Sequence, residues 1–459
     1  MRYRKPFGAM AVAVASALLL SACSGGTGVG DAKQDDKADK GLPVLGKTVT
    51  WDPNQLVNDG RPIKLEWWAW AFVDEAQKMA DAYQKVHPNV DIQVVNQPWD
   101  DYWTKLPLAL QGSGGPAIFN VHNSQHDNLV KYMAPYDIPV KDLQADFTNV
   151  DQHVIDGKVY YIDFGLMTGA IFYNKDMWKK AGLTQADIPE TWDEFREVAK
   201  KLTVRDGGKI TQAGFNFNGQ YDAIQSGMAY QLGQNLFAGD LKTPDVDNAA
   251  NLEVIERFLD IYRDGSGDKD LGSGGDTFGQ GLTAMTYSWG HLAGTLKTDH
   301  PDLDWGVFRT PVPEAGKTPY AFDRTNGEST IGINKNASPE EQAVAQDFLR
   351  YYLTNEDAMK QLCLAVGVYP TYKPLADDPD IKASPVLKAF GDSTKYIWPG
   401  ALPATFQTSL VTMWEDILYN GVSPRKALAT AQKTLSTDLK GSGFVSVENR
   451  YPGYQAQDD

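Results

Sequence analysis

The chain has 459 residues, 59 acidic and 43 basic, with a formal charge of −16 at neutral pH. So acidic a surface repels nucleic acid and anionic lipid headgroups, and suits a protein that meets neutral or cationic small molecules. Two cysteines cannot build a disulfide framework, whereas 12 Trp, 21 Tyr and 18 Phe can furnish large cores and an aromatic ligand cleft.

At the start, Arg2, Arg4 and Lys5 precede an apolar run from Ala9 to Leu20. That run is shorter than the about 20 residues of a membrane helix, and the pattern reads as a signal peptide over residues 1–22. Leu20-Ser-Ala-Cys23 resembles a bacterial lipobox. The resemblance implies that Cys23 becomes the lipidated first residue, holding the protein to the cell membrane on its extracytoplasmic face. Loss of the three leader cations leaves a net charge of −19. Ser24 to Lys40, rich in Gly, Asp and Lys, buries too little to fold and reads as a tether. Compact structure is expected from Lys47 or Arg61, with residues 23–60 as lipidated Cys and tether. The remaining length suffices for two domains.

Ile63 to Ala69 alternates with the period of a strand. Ala76, Met79, Ala80 and Tyr83 share a helical face, with Asp74 as the expected N-cap. Val90–Asn96 reads as a strand, Tyr102 to Leu110 as a helix stopped by Gly112-Ser-Gly-Gly-Pro116, and Ile118 to Val121 as a short buried strand. Strands alternating with helices predict an α/β fold with a largely parallel sheet. Further along, Gly169 to Tyr173 and Thr330 to Ile333 read as strands. Thr191-Trp-Asp-Glu194 and Ser338-Pro-Glu-Glu341 are capping boxes. Met359, Leu362, Cys363 and Val366 form a helical stripe, so Cys363 reads as a small buried hydrophobe. Phe406, Leu410, Met413, Trp414 and Ile417 form another, and Ser423-Pro424 opens a last helix with Ala427, Leu428, Ala431 and Leu435 inward.

In order along the chain stand Leu65-Glu-Trp-Trp-Ala-Trp70, Gly114-Gly-Pro-Ala-Ile-Phe119, Asp156-Gly-Lys-Val-Tyr160 and Phe172-Tyr-Asn-Lys-Asp176. Ala181-Gly182, Pro189-Glu-Thr-Trp-Asp-Glu-Phe195, Phe278-Gly-Gln-Gly-Leu-Thr-Ala-Met285, Ile331-Gly-Ile-Asn334 and Gly367-Val-Tyr-Pro-Thr371 follow. Together, from Leu65 to Leu435, these resemble the solute-binding proteins of ATP-driven sugar importers, the maltodextrin-binding type. The resemblance implies a two-lobed periplasmic-binding-protein-like α/β fold that closes on a sugar between its lobes. It also implies delivery to the transmembrane permease of an ABC importer, with no chemistry on the ligand and no cofactor. Crossings are expected near Gly165, Asn326 and Pro370, giving lobe one as 61–165 plus 330–370 and lobe two as 166–329 plus 371–459. The protein is expected to be a monomer.

A sugar offers hydroxyls and flat C–H faces, so its site needs planar aromatics beside carboxylates or amides. Trp67, Trp192 and Trp414 lie on apolar stripes and are assigned to packing. Trp70 follows the first strand, at the carboxyl end where ligands bind in parallel sheets, though an aromatic closing that corner would look the same. Trp99 and Asp100 follow the second strand, where Asp100 could equally cap a helix. Asn120, His122 and Asn123 end the third. In the related proteins Asn120 and Asn123 correspond to a stacking Trp and a sugar-binding Asp, so the resemblance implies that stacking is lost there while hydrogen bonding remains. Met167 stands where the family often has an acid. Trp289 occupies the family's place for a stacking aromatic after Ala284-Met285. Asn326 and Glu328 precede Ile331 at the expected crossover, and Trp398 opens the approach to the late helix.

His122 and His126 have the spacing of a helical zinc pair, but Asn123 stands where a zinc protease needs Glu. Asp264 to Asp270 lacks the central Gly and the closing Glu of a calcium loop, position 275 being Gly. No metal site is expected. The alternative function is a secreted lipoprotein glycosidase or polysaccharide lyase, which needs two carboxylates roughly 5–10 Å apart.

Overall fold

The computed structural model describes residues 41–391 and 395–457. The leader, Cys23 and the whole 24–40 segment therefore lie outside the described residues, as does the side chain of Asp100. Packing begins ahead of Arg61. Leu45–Gly46 pairs with Thr50–Trp51, and Val49, Trp51 and Val57 are buried. The backbone N–H groups of Thr48 and Val49 both donate to the Asp146 carboxylate, at 2.9 and 2.7 Å.

Two sheets carry the architecture. The first runs Val90–Asn96, Ile63–Ala69, Ile118–Asn120, Ile331–Asn334, Met133–Ala134. Its first three strands are parallel, and Ile331–Asn334 is antiparallel to both of its neighbours. The second sheet is organised around one long strand, Asp163–Asn174, of which the Gly169–Tyr173 segment is only the end. Thr283–Trp289, Trp305–Arg309, Asp323–Ser329 and Tyr369–Pro370 all pair with it antiparallel. Lys209–Asn216 lies parallel to Thr283–Trp289 on the outer side. The expectation of largely parallel pairing thus holds for one part of each sheet. It fails where a strand returns from a distant part of the chain, which local alternation cannot reveal.

The chain leaves the second sheet at Ser329 and enters the first at Ile331, with Thr330 alone between them. At the same level Gly165 is flanked by Glu328 on one side and Pro370 on the other. A Cβ on Gly165 would stand 2.2 Å from Val368 Cγ2, so these strands fit together only because residue 165 has no side chain.

Helices cover the sheets as their stripes require. Val73–Val86 buries Ala76, Met79, Ala80 and Tyr83. Its N-cap is Phe72, in the left-handed region at φ 51° and ψ 37°, and not Asp74, which sits in the first turn where its charge favours the helix dipole. The next helix spans Trp99–Ala109, starting three residues earlier than the apolar pattern suggests because Pro98 fixes the entry. Thr191 and Ser338 form the expected capping boxes. Helix Pro339–Thr354 lays Phe348 and Tyr352 edge-on against Trp67, at 5.6 and 6.4 Å. Cys363 is fully buried. On the second sheet's side, Ala404–Tyr419 packs on Tyr221–Gln231, and Pro424–Asp438 packs on Ala404–Tyr419 and on Ala249–Arg263, with Trp414 wholly buried. Among the described residues no helix is long and apolar enough to cross a membrane.

Candidate functional site

A cavity of about 500 Å³ opens where the carboxyl ends of both sheets' parallel strands converge. Strand Ile63–Ala69 delivers Trp70, Trp99 begins the helix after Val90–Asn96, and Ile118–Asn120 leads to His122 and Asn123. Across the cavity, the turn after Lys209–Asn216 brings Gln220 and Asp222, and Thr283–Trp289 ends on Trp289. The floor is strand Asp323–Ser329, where Arg324, Asn326 and Glu328 follow the two-residue period and share one half-buried face. A larger groove of about 700 Å³ runs along residues 186–201, but charged side chains of one helix and its entry turn line it and no strand end reaches it.

One wall is aromatic. Trp70 meets Trp99 at 5.4 Å and 75°, and Trp99 meets His122 at 5.2 Å and 88°. Trp99 keeps 41% of its surface open, enough to offer a flat face. On the other side, Trp289 is 9% exposed, and the Arg324 guanidinium lies 5.2 Å from its ring centroid. One face of Trp289 is thereby taken by a cation, and a ligand has only the remaining surface.

The polar groups are tied to one another. Asn123 is buried and donates to Asn326 Oδ1 at 2.9 Å and to the Gly327 carbonyl at 3.0 Å. It links the first sheet's strand ends to the floor strand. Arg324 Nη2 meets Asp222 Oδ2 at 3.1 Å. Burial pushes the Asp222 carboxyl up even though Arg324 opposes the shift. His122 and His291 are both pushed down to about 4 by burial, so each ring is neutral at pH 7. Glu328 is pushed up to about 8 by burial and, secondarily, by the negative charge of Asp163. At neutral pH the cavity therefore presents one internally paired ion couple and otherwise uncharged donors and acceptors.

The Glu328 shift has a measurable consequence. An acid whose pKa rises on folding contributes its full stability below its unfolded value, here 4.5, and loses it as pH climbs towards about 8. Glu328→Gln should flatten the fall in melting temperature across that interval. A variant whose melting temperature declines as steeply as the wild type would show that Glu328 does not carry the shift.

Of the residues singled out from sequence, Trp70, Trp99, Asn123, Trp289, Asn326 and Glu328 line this cavity. Asn120 does not. Its side-chain oxygen accepts from Trp67 Nε1 at 2.7 Å, and it faces a smaller hollow behind the wall. Trp398 is also displaced: its ring lies 6.1 Å from His153, while its neighbours Pro399 and Gly400 reach the cavity. Asp100 occupies the second position of helix Trp99–Ala109. Sequence reading missed Arg324, Asp222 and His291. The ion pair joins residues 102 positions apart, and no local pattern marks it. Met167, flagged as lacking the family's acid, pairs across from Asn326. Among the described residues no three His, Cys, Asp or Glu side chains gather as a metal site.

Residues 69–359 match the family described as bacterial extracellular solute-binding protein. A maltotriose-binding protein of Pyrococcus abyssi is 25% identical over 332 residues, 70% of this chain and 69% of that protein. A galactooligosaccharide-binding protein of Bacillus subtilis is 23% identical over 381 residues, 78% of this chain and 85% of the relative. In fold, the maltose/maltodextrin-binding domain from Bdellovibrio bacteriovorus, solved with maltotriose bound, superposes with a TM-score of 0.69 at 21% identity. That likeness covers 82% of this chain and all of the other.

Proposed function

Because this chain belongs to the family of bacterial extracellular solute-binding proteins, we propose that it captures a carbohydrate, an oligosaccharide in particular, and hands it to the permease of an ABC importer. The observation that carries the reading is the cavity itself. Trp70 and Trp99 stand on one side and Trp289 on the other, over a floor of Asn326 and Glu328 with no uncompensated charge at neutral pH. Stacking rings and paired neutral hydrogen-bonding groups suit a polyhydroxylated ring and disfavour a free ion. The names of the two relatives, for maltotriose and galactooligosaccharides, point the same way.

In this reading the lobes are 61–165 with 330–370 and 166–329 with 371–459, and ligand favours the closed arrangement by touching both. Lipid on Cys23 holds the protein at the outer face of the cell membrane through the tether. The ligand leaves unaltered, and the protein acts as a monomer. A glycosidase would employ two carboxylates, and of the two acids in the cavity Asp222 is engaged with Arg324.

The test is a thermal-shift screen of the mature chain against mono- and oligosaccharides. A saccharide that binds the folded state raises the melting temperature with the logarithm of its concentration. Silence across the whole panel would refute carbohydrate capture. Release of shorter sugars during incubation, lost in Asp222→Asn, would make the protein an enzyme instead. Cys23→Ser should free the protein from membranes, and retention through a carbonate wash would argue against the lipid anchor.

A further inference from the structure

Behind the aromatic wall lies a second hollow of about 50 Å³. Trp70, Ala71, Phe72 and Glu328 line both spaces, so the hollow meets the cleft along those four residues. Its far walls are apolar, formed by Trp67, Met79, Phe164 and Leu362, each at least nine-tenths buried. Besides the Trp70 indole N–H, three polar groups on residues that line the hollow have no hydrogen-bond partner among the described residues: the Tyr352 hydroxyl, the Asn120 amide nitrogen and the Glu328 carboxyl. Tyr352 is only 3% exposed, and its ring is held edge-on to Trp67. Asn120 gives its oxygen to the Trp67 indole, which leaves the nitrogen as a free donor. The hydroxyl is not sealed off, so it is open to whatever occupies the space beside it.

Water can satisfy these polar groups but leaves the apolar walls without a partner, so an occupant that fills the whole hollow is apolar at one end and offers both a hydrogen-bond acceptor and a donor. Water has no apolar end, and its share of liquid volume is about 30 Å³. A sugar hydroxymethyl has one oxygen for three polar groups. An acetamido group matches each requirement: a methyl for the apolar walls, a carbonyl for the Tyr352 and Asn120 donors, and an N–H for a Glu328 oxygen. We propose that the hollow is a subsite for an acetamido substituent on the sugar held in the cleft, a proposal that rests on carbohydrate capture. Phe72 controls the junction. It is a bulky residue in the left-handed region, a strained conformation that clusters at ligand clamps. Its ring edge lies where a Cβ on Gly294 would approach to 3.2 Å, so it also touches the opposite side of the cleft.

The experiment is calorimetry on the mature chain with β1,4-linked N-acetylglucosamine oligosaccharides of one to four units and the glucose oligosaccharides of the same lengths. The acetylated series should bind at least about tenfold tighter, since a site built to hydrogen-bond a group rejects the analogue that lacks it. Tyr352→Phe keeps the ring and removes the hydroxyl, and should cut the ratio of the two affinities about three- to tenfold. Ala76→Leu, which fills the hollow, should abolish the preference. If that variant fails to fold, Tyr352→Phe alone decides. Equal affinity for both series in the wild type, or an unchanged ratio in Tyr352→Phe, overturns the subsite. Binding of the glucose series without the acetylated one overturns the subsite and leaves carbohydrate capture standing. Silence from both series and from the wider saccharide panel overturns both.

Discussion

Replacing Trp289 by alanine is expected to weaken saccharide binding about tenfold to a thousandfold, ~1.4–4 kcal/mol. A pyranose stacked on an indole buries apolar area while immobilising few rotors, so such a ring is a leading affinity term. The structure adds two qualifications of direction. Arg324 already occupies one face of Trp289, so the substitution also frees the guanidinium that pairs with Asp222. And because Trp289 is only 9% exposed, it belongs to the core as well as to the cavity, so alanine will lower the melting temperature too. Calorimetry should therefore be run well below the variant's melting transition. Trp99→Ala provides the comparison, since a ring 41% exposed contributes little packing. Unchanged affinity in Trp289→Ala would remove that residue from the site.

Trp414→Ala should act on the fold, destabilising it by about 3–5 kcal/mol. The ring is fully buried, stacked on Tyr221 at 5.7 Å and 17° and set edge-on to Phe217 at 5.7 Å and 78°. It clamps helix Ala404–Tyr419 onto helix Tyr221–Gln231, whose first turn carries Asp222 to the cavity. Among the described residues the Trp414 Nε1 has no hydrogen-bond partner, so Trp414→Phe, which sheds that buried donor while keeping an aromatic ring, should cost much less than alanine. Urea denaturation distinguishes the cases: the midpoint should fall sharply for alanine and modestly for phenylalanine, at constant slope. A phenylalanine variant as unstable as the alanine one would show that shape, and not area, holds this contact.

What the sequence disclosed followed from how far each signal reaches. The capping boxes at Thr191 and Ser338 are complete within four residues, and both stand as read. The stripes around Met359 and Leu428 need only a helical period, and their residues are buried. Helix starts were less legible where the backbone overrode composition, as at Phe72, whose left-handed conformation no propensity announces. Candidate site residues at strand ends were found because a strand end is locally visible, and Trp70, Trp99 and Trp289 line one cavity. Arg324 and Asp222 were invisible because their pairing depends on how the second sheet folds. Trp398 was misplaced for the converse reason: it follows a two-residue strand, Tyr396–Ile397, that turns its ring towards His153.

The register of the first sheet sets a timetable for biogenesis. Ile331–Asn334 is the strand that joins Ile118–Asn120 to Met133–Ala134, so that sheet cannot be completed until residue 334 has emerged from the ribosome. The long central strand of the other sheet likewise waits for Asp323–Ser329. At 5–20 residues per second the delay between residues 120 and 331 is roughly 10–40 s. Throughout that interval the nascent polypeptide stays threadable, so a translocation pore can accept it as an extended chain without first having to pull apart a finished domain.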